Sequence, residues 1–217
     1  MHELFSNLTA VVFDMDGVLC DSEPFIAEAA CRMFAECHGV KVIAEEFQPF
    51  IGTGENQFIG GVAAKHGVTL QMPADKDRTC AIYLEIIRGR LKPFAGALEF
   101  VRACRGRGWK TALATSADRV KLDGNLREIG LPESAFDAAV TGSEVEHKKP
   151  APDIFLAAAG KLGIRPACIL VIEDAPQGVR AAKAAGMRCL GLTTSVEAAV
   201  LRAAGADATA ATLGEVG

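Results

Sequence analysis

The chain has 217 residues, half of them hydrophobic and 23% charged, and its formal net charge is −4 at pH 7. This composition is typical of a compact globular protein, and no apolar run approaches the roughly 20 residues of a membrane helix, which excludes disordered and membrane-spanning chains. The acidic balance and the lack of a basic tract exclude a surface for nucleic acid or for anionic lipid. We therefore expect a soluble chain that does not itself contact a membrane.

The first predicted element is a buried parallel strand from Leu8 to Phe13, a short apolar run that ends in acidic residues. Asp14 and Asp16 lie two residues apart on extended backbone, so their side chains point to one side, and Gly17 permits a sharp turn behind them. Such a pair suits phosphoryl transfer, in which one carboxylate attacks phosphorus, the other transfers protons and a metal ion relieves their repulsion. A solvated acidic turn is the alternative interpretation of so short a motif.

The segment that follows, residues 22–92, contains only helical patterns and is too long for a simple crossover. Its predicted helices are Pro24–Cys37, Glu55–His66 and Ala74–Arg88. We expect this segment to lie over the carboxyl ends of the sheet as a cap domain, with residues 1–21 and 93–217 forming the core domain. One loop of the segment is a candidate for substrate selection, with a simple turn as the alternative, and it consists of Gly52, Thr53, Gly54 and Glu55.

Four further strands are predicted after this insertion, each separated from the next by an alanine-rich helical stretch. They are Lys110–Thr115, Ala138–Thr141, Ile169–Ile172 and Arg188–Leu192. The alternation of strands and helices predicts an α/β fold with a doubly wound, Rossmann-like parallel sheet. The carboxyl ends of such strands meet at one crevice, which is where ligands bind.

Polar side chains follow the ends of these strands. Thr115 and Ser116 are candidates to hydrogen-bond a phosphoryl oxygen, with a plain turn or a helix cap as the alternative. Lys149, which the flanking prolines are expected to hold on an extended segment, is a candidate to neutralise phosphoryl charge, although most lysines are solvated surface groups. Glu173 and Asp174 offer hard oxygen ligands of the kind that suits Mg²⁺.

Four motifs occur along the chain: FDMDGVL at Phe13–Leu19, LATS at Leu113–Ser116, KPAPDIF at Lys149–Phe155 and VIEDAPQGV at Val171–Val179. In this order they resemble the haloacid dehalogenase superfamily over nearly the whole chain. The helical insertion is similar to that of the branch containing phosphoglucomutases and phosphoglycolate phosphatases. The resemblance implies a Mg²⁺-dependent phosphomonoester hydrolase that acts on a small phosphorylated metabolite through an aspartyl-phosphate intermediate.

The resemblance also implies roles for individual residues. It makes Asp14 the nucleophile, Asp16 the general acid and base, and Thr115 and Lys149 ligands of the phosphoryl group. Its metal shell includes the main-chain carbonyl of Asp16. The implied metal site consists of Asp14, Asp16 and Asp174, with Glu173 in support.

The second aspartate of the first motif favours phosphate chemistry, because members of the superfamily that cleave carbon–halogen bonds lack it. A phosphomutase is the less favoured alternative. The loop around Glu55 offers an acid where the mutases place an arginine for a second phosphate.

Two longer stretches, FIGTGENQFIGGVA at Phe50–Ala63 and SADRVKLDGNLREIGL at Ser116–Leu131, resemble the stromal phosphatase-like domain of the suppressor-of-quenching family of plant and algal chloroplasts. This likeness implies a domain of a larger multidomain protein, placed in the chloroplast stroma rather than the cytoplasm. It leaves open, as an alternative, a regulatory or binding module with little or no turnover. Seven cysteines, an odd number without a CxxC pair, favour a reducing compartment.

Overall fold

The computed structural model describes residues 2–51 and 54–216. Within these residues the fold is built on a sheet of six strands whose pairings are all parallel. The strands are β1 (Ala10–Phe13), β2 (Lys110–Ala114), β3 (Ala138–Val140), β4 (Ile169–Glu173), β5 (Arg188–Leu192) and β6 (Ala208–Ala210). Their order across the sheet is β3-β2-β1-β4-β5-β6, which confirms the predicted doubly wound topology.

Helices connect the strands. The α-helices are α1 (Glu23–His38), α2 (Glu55–Lys65), α3 (Ala74–Ile86), α4 (Ala97–Gly106), α5 (Arg119–Glu128), α6 (Asp153–Leu162), α7 (Pro176–Ala184) and α8 (Ala198–Ala204). Short 3₁₀ helices span His2–Phe5, Ala44–Phe50, Glu133–Ala135, Gly142–Glu144, Pro166–Cys168 and Leu213–Glu215. The three helices predicted between the first two strands are present, whereas the 3₁₀ helix of that segment and β6 were not predicted. The last strand is three small residues long and offers no bulky apolar pattern.

Strand β1 is buried on both faces of the sheet, which explains why it is a continuous apolar run instead of an alternating one. Phe13 points to one face, where its ring meets Phe100 of α4 edge to face at 6.1 Å between centroids. Val12 belongs to the apolar cluster of the other face, together with Phe155 of α6 and Val179 of α7. Strand β1 therefore lies inside the sheet, between the apolar clusters of its two faces.

The helical segment between β1 and β2 has its own apolar contacts. Helices α1 and α3 pack together, and the ring of Phe47 stacks on that of Phe58 at 4.8 Å. Where the chain leaves and re-enters the sheet region, the Phe94 amide donates to the Leu19 carbonyl at 3.0 Å. The division into a core of residues 1–21 and 93–217 and a cap of residues 22–92 stays a prediction.

Strand register brings distant residues to one edge of the sheet. Phe13 is paired with Leu113 on β2 and with Ile172 on β4. The chain continues from β1 to one side and later crosses to the other, so the end of β1 is the topological switch point. Asp14, the next residue, therefore lies where a ligand is expected.

Across the described residues, no helix combines the length and the apolar character that a membrane crossing requires. None of the seven cysteines forms a disulfide in this part of the chain. The compartment in which the protein resides stays a prediction.

Candidate active site

Asp14 lies directly after β1, and its side chain is 9% exposed. Its backbone amide donates to the Ile172 carbonyl at 3.0 Å, which ties it to β4. Burial raises the pKa of Asp14 to about 7, against the lowering effect of the Lys149 ammonium and with further raising by the charges of Glu173 and Asp16. The carboxyl group is thus held in a crowded, poorly solvated position where a nearby cation decides its charge.

Lys149 is buried and faces the same point. Its ammonium donates to Asp14 Oδ1 and to Glu173 Oε1, each at 2.6 Å, and to the Ala114 carbonyl at 3.4 Å. Burial on its own would lower the pKa of Lys149, but the attraction of the two carboxylates outweighs it and raises the pKa. The residue lies in a turn and α6 begins at Asp153, so the expected extended segment is wrong although the lysine reaches the strand ends.

Glu173 ends β4 and is almost fully buried. One carboxylate oxygen accepts from Lys149, and the other accepts from the amides of Asp174 and Ala175, both at 3.0 Å. Gly178 of α7 makes room for it, because a Cβ there would lie 1.7 Å from Glu173 Oε1. Both oxygens are therefore engaged by protein donors, which suits a residue that supports its neighbours.

Asp174 is 2% exposed, and its carboxylate accepts a hydrogen bond from the Ser195 hydroxyl. Burial, followed by repulsion from Glu173 and Asp14, raises the pKa of Asp174 well above its ordinary value. Gly17 has a positive φ of 75°, and a Cβ at this position would lie 1.9 Å from Asp174 Oδ2. The first and last predicted motifs thus pack against each other through a position that only glycine fits.

Asp16 is placed differently from Asp14. Its Oδ2 accepts from Lys121 at 2.9 Å, and its Oδ1 accepts from Ser22 and from Asn125, the latter at 3.3 Å. Burial alone would raise the pKa of Asp16, but Lys121 and the Ser22 hydrogen bond outweigh it and lower the pKa. The structure therefore holds Asp16 as a carboxylate, the form that accepts a proton.

The hydroxyl of Thr115 is buried and accepts from the Ala117 amide at 3.1 Å, so the residue forms the turn that the sequence left as an alternative. Ser116 lines the cleft described below. Of the predicted substrate loop, Gly52 and Thr53 lie outside the described residues, whereas Gly54 and Glu55 line the cleft.

Glu55 links the helical segment to the strand ends. It accepts from the Asp118 amide at 3.3 Å and lies 3.7 Å from the ammonium of Lys76 on α3. That ammonium also forms an ion pair with the Asp118 carboxylate. Burial raises the pKa of Glu55. The described part of the predicted loop thus brings a carboxyl group, and no cation, toward the cleft.

These side chains surround a cleft with about 650 Å³ of empty space, open solvent at its mouth included. Among the described lining residues the cations are Lys121 and Lys149. The acids outnumber them and are Asp14, Asp16, Glu23, Glu55, Glu173 and Asp174. A phosphate ester entering this cleft would meet an excess of negative charge unless a further cation were bound.

The donor set fits Mg²⁺. Among residues 2–51 and 54–216, no three histidine, cysteine, aspartate or glutamate side chains converge closely enough to hold a metal ion by themselves. Mg²⁺ does not need such a group, because it typically binds one or two carboxylates and completes its shell with water and substrate phosphate. Asp14 and Asp174 are two such carboxylates. Burial raises the pKa of both, and the charge of Asp14 adds to the raised pKa of Asp174.

A wider groove continues from the cleft, with about 1370 Å³ of empty space that also includes open solvent. One side of the groove is formed by α1 and the 3₁₀ helix that follows it. The other side is formed by the loop after β5 and the start of α7. Among the described residues that line it, none is lysine, arginine or histidine. Its polar and charged lining consists of Asp21, Glu23, Glu45, Gln48, Gln177, Thr194 and Ser195.

The sequence reasoning missed the residues that hold Asp16 and Asp174: Ser22, Lys121, Asn125 and Ser195. For Lys121 the sequence carries one indication of a buried partner. A lysine in the first turn of a helix opposes the helix dipole, which indicates a compensating carboxylate nearby. No comparable signal marked the other residues.

Comparison with known proteins agrees with this geometry. A family described as haloacid dehalogenase-like hydrolase matches residues 8–186. The chain is 48% identical over 207 residues to the protein SUPPRESSOR OF QUENCHING 1, chloroplastic, of Arabidopsis thaliana, covering 93% of this chain and 19% of that protein. It is 34% identical over 183 residues to the phosphorylated carbohydrates phosphatase of Thermotoga maritima, covering 83% of this chain and 82% of that protein.

Among solved structures, CbbY from Rhodobacter sphaeroides in complex with phosphate superposes with a TM-score of 0.87 at 26% identity. The match covers 97% of this chain and 96% of that one. The full length of the fold is therefore shared with a protein that has been seen to bind phosphate.

Proposed function

We propose that this chain, which belongs to the haloacid dehalogenase-like hydrolase family, is a phosphatase that hydrolyses a small phosphorylated metabolite in a Mg²⁺-dependent reaction. The single observation that carries the proposal is the arrangement at the end of β1, where Lys149 bridges Asp14 and Glu173 at 2.6 Å. A buried, poorly solvated carboxylate suits nucleophilic attack on phosphorus, and a buried cation beside it suits stabilisation of the phosphoryl charge.

In the proposed reaction a carboxylate oxygen of Asp14 forms a bond to phosphorus while the bond from phosphorus to the ester oxygen breaks. A proton from Asp16 passes to that ester oxygen, so the product leaves as an alcohol. Water then attacks the aspartyl phosphate, its proton passes to Asp16, and the electron pair of the broken bond returns to Asp14. The lowered pKa of Asp16 supports its proposed role as the proton acceptor in this second step.

Phosphate binding is assigned to Lys149, Ser116 and Thr115. The Lys149 ammonium supplies the charge, and Ser116 lines the cleft. The Thr115 hydroxyl accepts from the Ala117 amide, so it holds that turn in shape and keeps its own proton for donation.

The proposed metal ligands are the carboxylates of Asp14 and Asp174 and the main-chain carbonyl of Asp16. Glu173 supports the site through its bonds to Lys149 and to the amides that follow it. Bound Mg²⁺ supplies positive charge that offsets the acidic lining and neutralises the phosphoryl oxygens.

The groove beside the cleft favours a substrate whose non-phosphate part carries no negative charge. Asp21 and Glu45 line it without an opposing cation among the described residues, so a second phosphate or a carboxylate would be repelled there. Side-chain amides and hydroxyls suit the hydroxyl groups of a sugar or polyol. The relatives include a phosphatase of phosphorylated carbohydrates.

The same feature disfavours phosphomutase activity, which needs a cation for a second phosphate. The described part of the predicted substrate loop contributes the acid Glu55, and no cation, to the cleft lining, which supports this view.

A second candidate function is a regulatory or binding module that keeps the fold without turnover. It is favoured by the 48% identity to a chloroplast protein of which this chain spans 19%. Under either candidate we place the chain in the chloroplast stroma, as one domain of a larger protein.

Phosphate release from a panel of sugar monophosphates, measured with Mg²⁺ and with a chelator, separates the two candidates. We expect Mg²⁺-dependent release from at least one neutral sugar phosphate. Saturable binding of these compounds without release from any of them would favour the module.

A further inference from the structure

Both oxygens of the Asp16 carboxylate are held by side chains outside the four haloacid dehalogenase motifs. Lys121 of α5 donates to Oδ2 at 2.9 Å, and Asn125, one turn further along the same helix, donates to Oδ1 at 3.3 Å. Ser22, at the start of α1, donates to the same Oδ1. Lys121 is 6% exposed and Asn125 is fully buried, so neither group is a solvated surface side chain.

Helix α3 orients this pair from the other side. The Tyr83 hydroxyl donates to Asn125 Oδ1 at 2.5 Å, which leaves the Asn125 amide nitrogen directed at Asp16. The Lys121 ammonium lies 5.4 Å from the centre of the Tyr83 ring. Gly124 allows α3 to approach this closely, because a Cβ there would lie 2.3 Å from a methyl carbon of Leu84.

We propose that Lys121 and Asn125 are positioning residues that fix the Asp16 carboxylate for proton transfer, and that Tyr83 fixes Asn125. This inference rests on the proposed phosphatase activity. It assigns a role to α5, which lies outside the four haloacid dehalogenase motifs. The step it serves is the attack of water on phosphorus, in which the Asp14–phosphorus bond breaks with its electron pair going to Asp14 and the water proton passes to Asp16.

The geometry argues against a role in binding substrate phosphate. Lys121 lies beside Asp16, whereas Lys149 lies beside Asp14, the residue proposed to receive the phosphoryl group. Loss of Lys121 should therefore slow hydrolysis of the aspartyl phosphate. The rate at which Asp14 becomes phosphorylated should change little. A purely structural ion pair would instead alter stability alone.

The test is pre-steady-state and steady-state hydrolysis of p-nitrophenyl phosphate with Mg²⁺, using Lys121→Met and Tyr83→Phe. Nitrophenolate leaves without needing a proton, so the first turnover reports attack by Asp14 and later turnovers report hydrolysis. For Lys121→Met we expect kcat to fall about 10- to 100-fold, as expected for a displaced catalytic group. KM should fall together with kcat, so that kcat/KM changes little, and a burst of about one equivalent of nitrophenolate should precede the slow phase.

Tyr83→Phe removes one hydroxyl and keeps the ring, so it is the variant to use if Lys121→Met does not fold. It should lower kcat in the same direction by a smaller factor. Lys110→Met is the matched control, because Lys110 forms an exposed pair with Asp137 away from the cleft, and it should retain wild-type kinetics.

If the wild-type chain turns over and both folded variants have the wild-type kcat, the inference is overturned, whereas the proposed phosphatase activity stands. A raised KM with unchanged kcat for Lys121→Met would also overturn it, because it would make Lys121 a substrate-binding cation. A wild-type chain without Mg²⁺-dependent turnover would overturn both the inference and the proposed function.

Discussion

The ammonium of Lys149 lies 2.6 Å from Asp14 Oδ1, in contact with a residue 135 positions away in the sequence. Both side chains are nearly excluded from solvent. With Glu173 bound to the same ammonium, one cation compensates two buried carboxylates. The ion pair is therefore both the proposed phosphate site and a part of the fold whose loss leaves charge unpaired.

Replacing Lys149 with methionine should destabilise the chain by about 3 to 5 kcal/mol at pH 8, the usual effect of breaking a buried ion pair. The loss should shrink toward pH 5.5, because Asp14, with a pKa of about 7 beside Lys149, becomes neutral by proton uptake. Urea unfolding at both pH values measures it. Lys110→Met, which breaks an exposed pair, should cost about 0 to 1 kcal/mol, and equal losses for the two variants would contradict the account.

Gly178 and Gly160 provide a matched pair of helical glycines. A Cβ at Gly178 would lie 1.7 Å from Glu173 Oε1, whereas a Cβ at Gly160 would meet no neighbouring atom. Gly178→Ala should destabilise the chain by about 1 to 3 kcal/mol and lower phosphatase activity by displacing Glu173. Gly160→Ala should stabilise it by about 0.5 to 1 kcal/mol. Thermal unfolding distinguishes them, and similar midpoints would refute the packing described for Glu173.

Glu23 lines the cleft, and burial together with the charge of Asp16 raises the pKa of Glu23 to about 7. The folded chain therefore keeps a proton that the unfolded chain loses above its ordinary pKa of about 4.5, so this group makes stability fall as pH rises from about 4.5 to 7. Glu23→Gln removes that loss. Relative to wild type it should gain up to about 3 kcal/mol between pH 4.5 and pH 8, measured by urea unfolding in EDTA. A stability difference independent of pH would contradict the shifted pKa.

Substrate charge provides a further prediction. The groove lined by Asp21 and Glu45 should make a sugar monophosphate a better substrate than the bisphosphate of the same sugar. The double variant Asp21→Lys, Glu45→Lys should raise kcat/KM for the bisphosphate about tenfold at low ionic strength, with little change for the monophosphate. Glu99→Lys is the control, since Glu99 is 72% exposed and forms an ion pair with Arg102 one turn along α4. An equal effect of the control would indicate net charge instead of the groove.

Much of the site was predictable because it lies at strand ends. Parallel strands bring their carboxyl ends together, so Asp14, Glu173 and Asp174 could be assigned to one crevice from strand patterns alone. The helix patterns of the insertion were equally clear, because each repeats apolar residues at helical spacing over several turns.

The rest depends on how helices are rotated and how closely they pack. Lys121 and Asn125 reach Asp16 only because α5 turns one particular face toward the cleft, and Tyr83 reaches Asn125 only because Gly124 lets α3 approach. Ser195 lies on an irregular loop, where no helical or strand periodicity predicts which way a side chain points. The turn at Lys149 was mistaken for an extended segment because proline favours both conformations.

The most direct test of the proposed function is steady-state hydrolysis of p-nitrophenyl phosphate by the wild-type chain and by Asp14→Asn, each with Mg²⁺ and with EDTA. Asp123→Asn is the control for the same chemical change, because Asp123 is 54% exposed and pairs with Arg119 on the surface of α5. We predict turnover for wild type and Asp123→Asn that disappears in EDTA, and none for Asp14→Asn, since an amide cannot form the covalent bond to phosphorus. Turnover by Asp14→Asn equal to that of wild type would contradict the account.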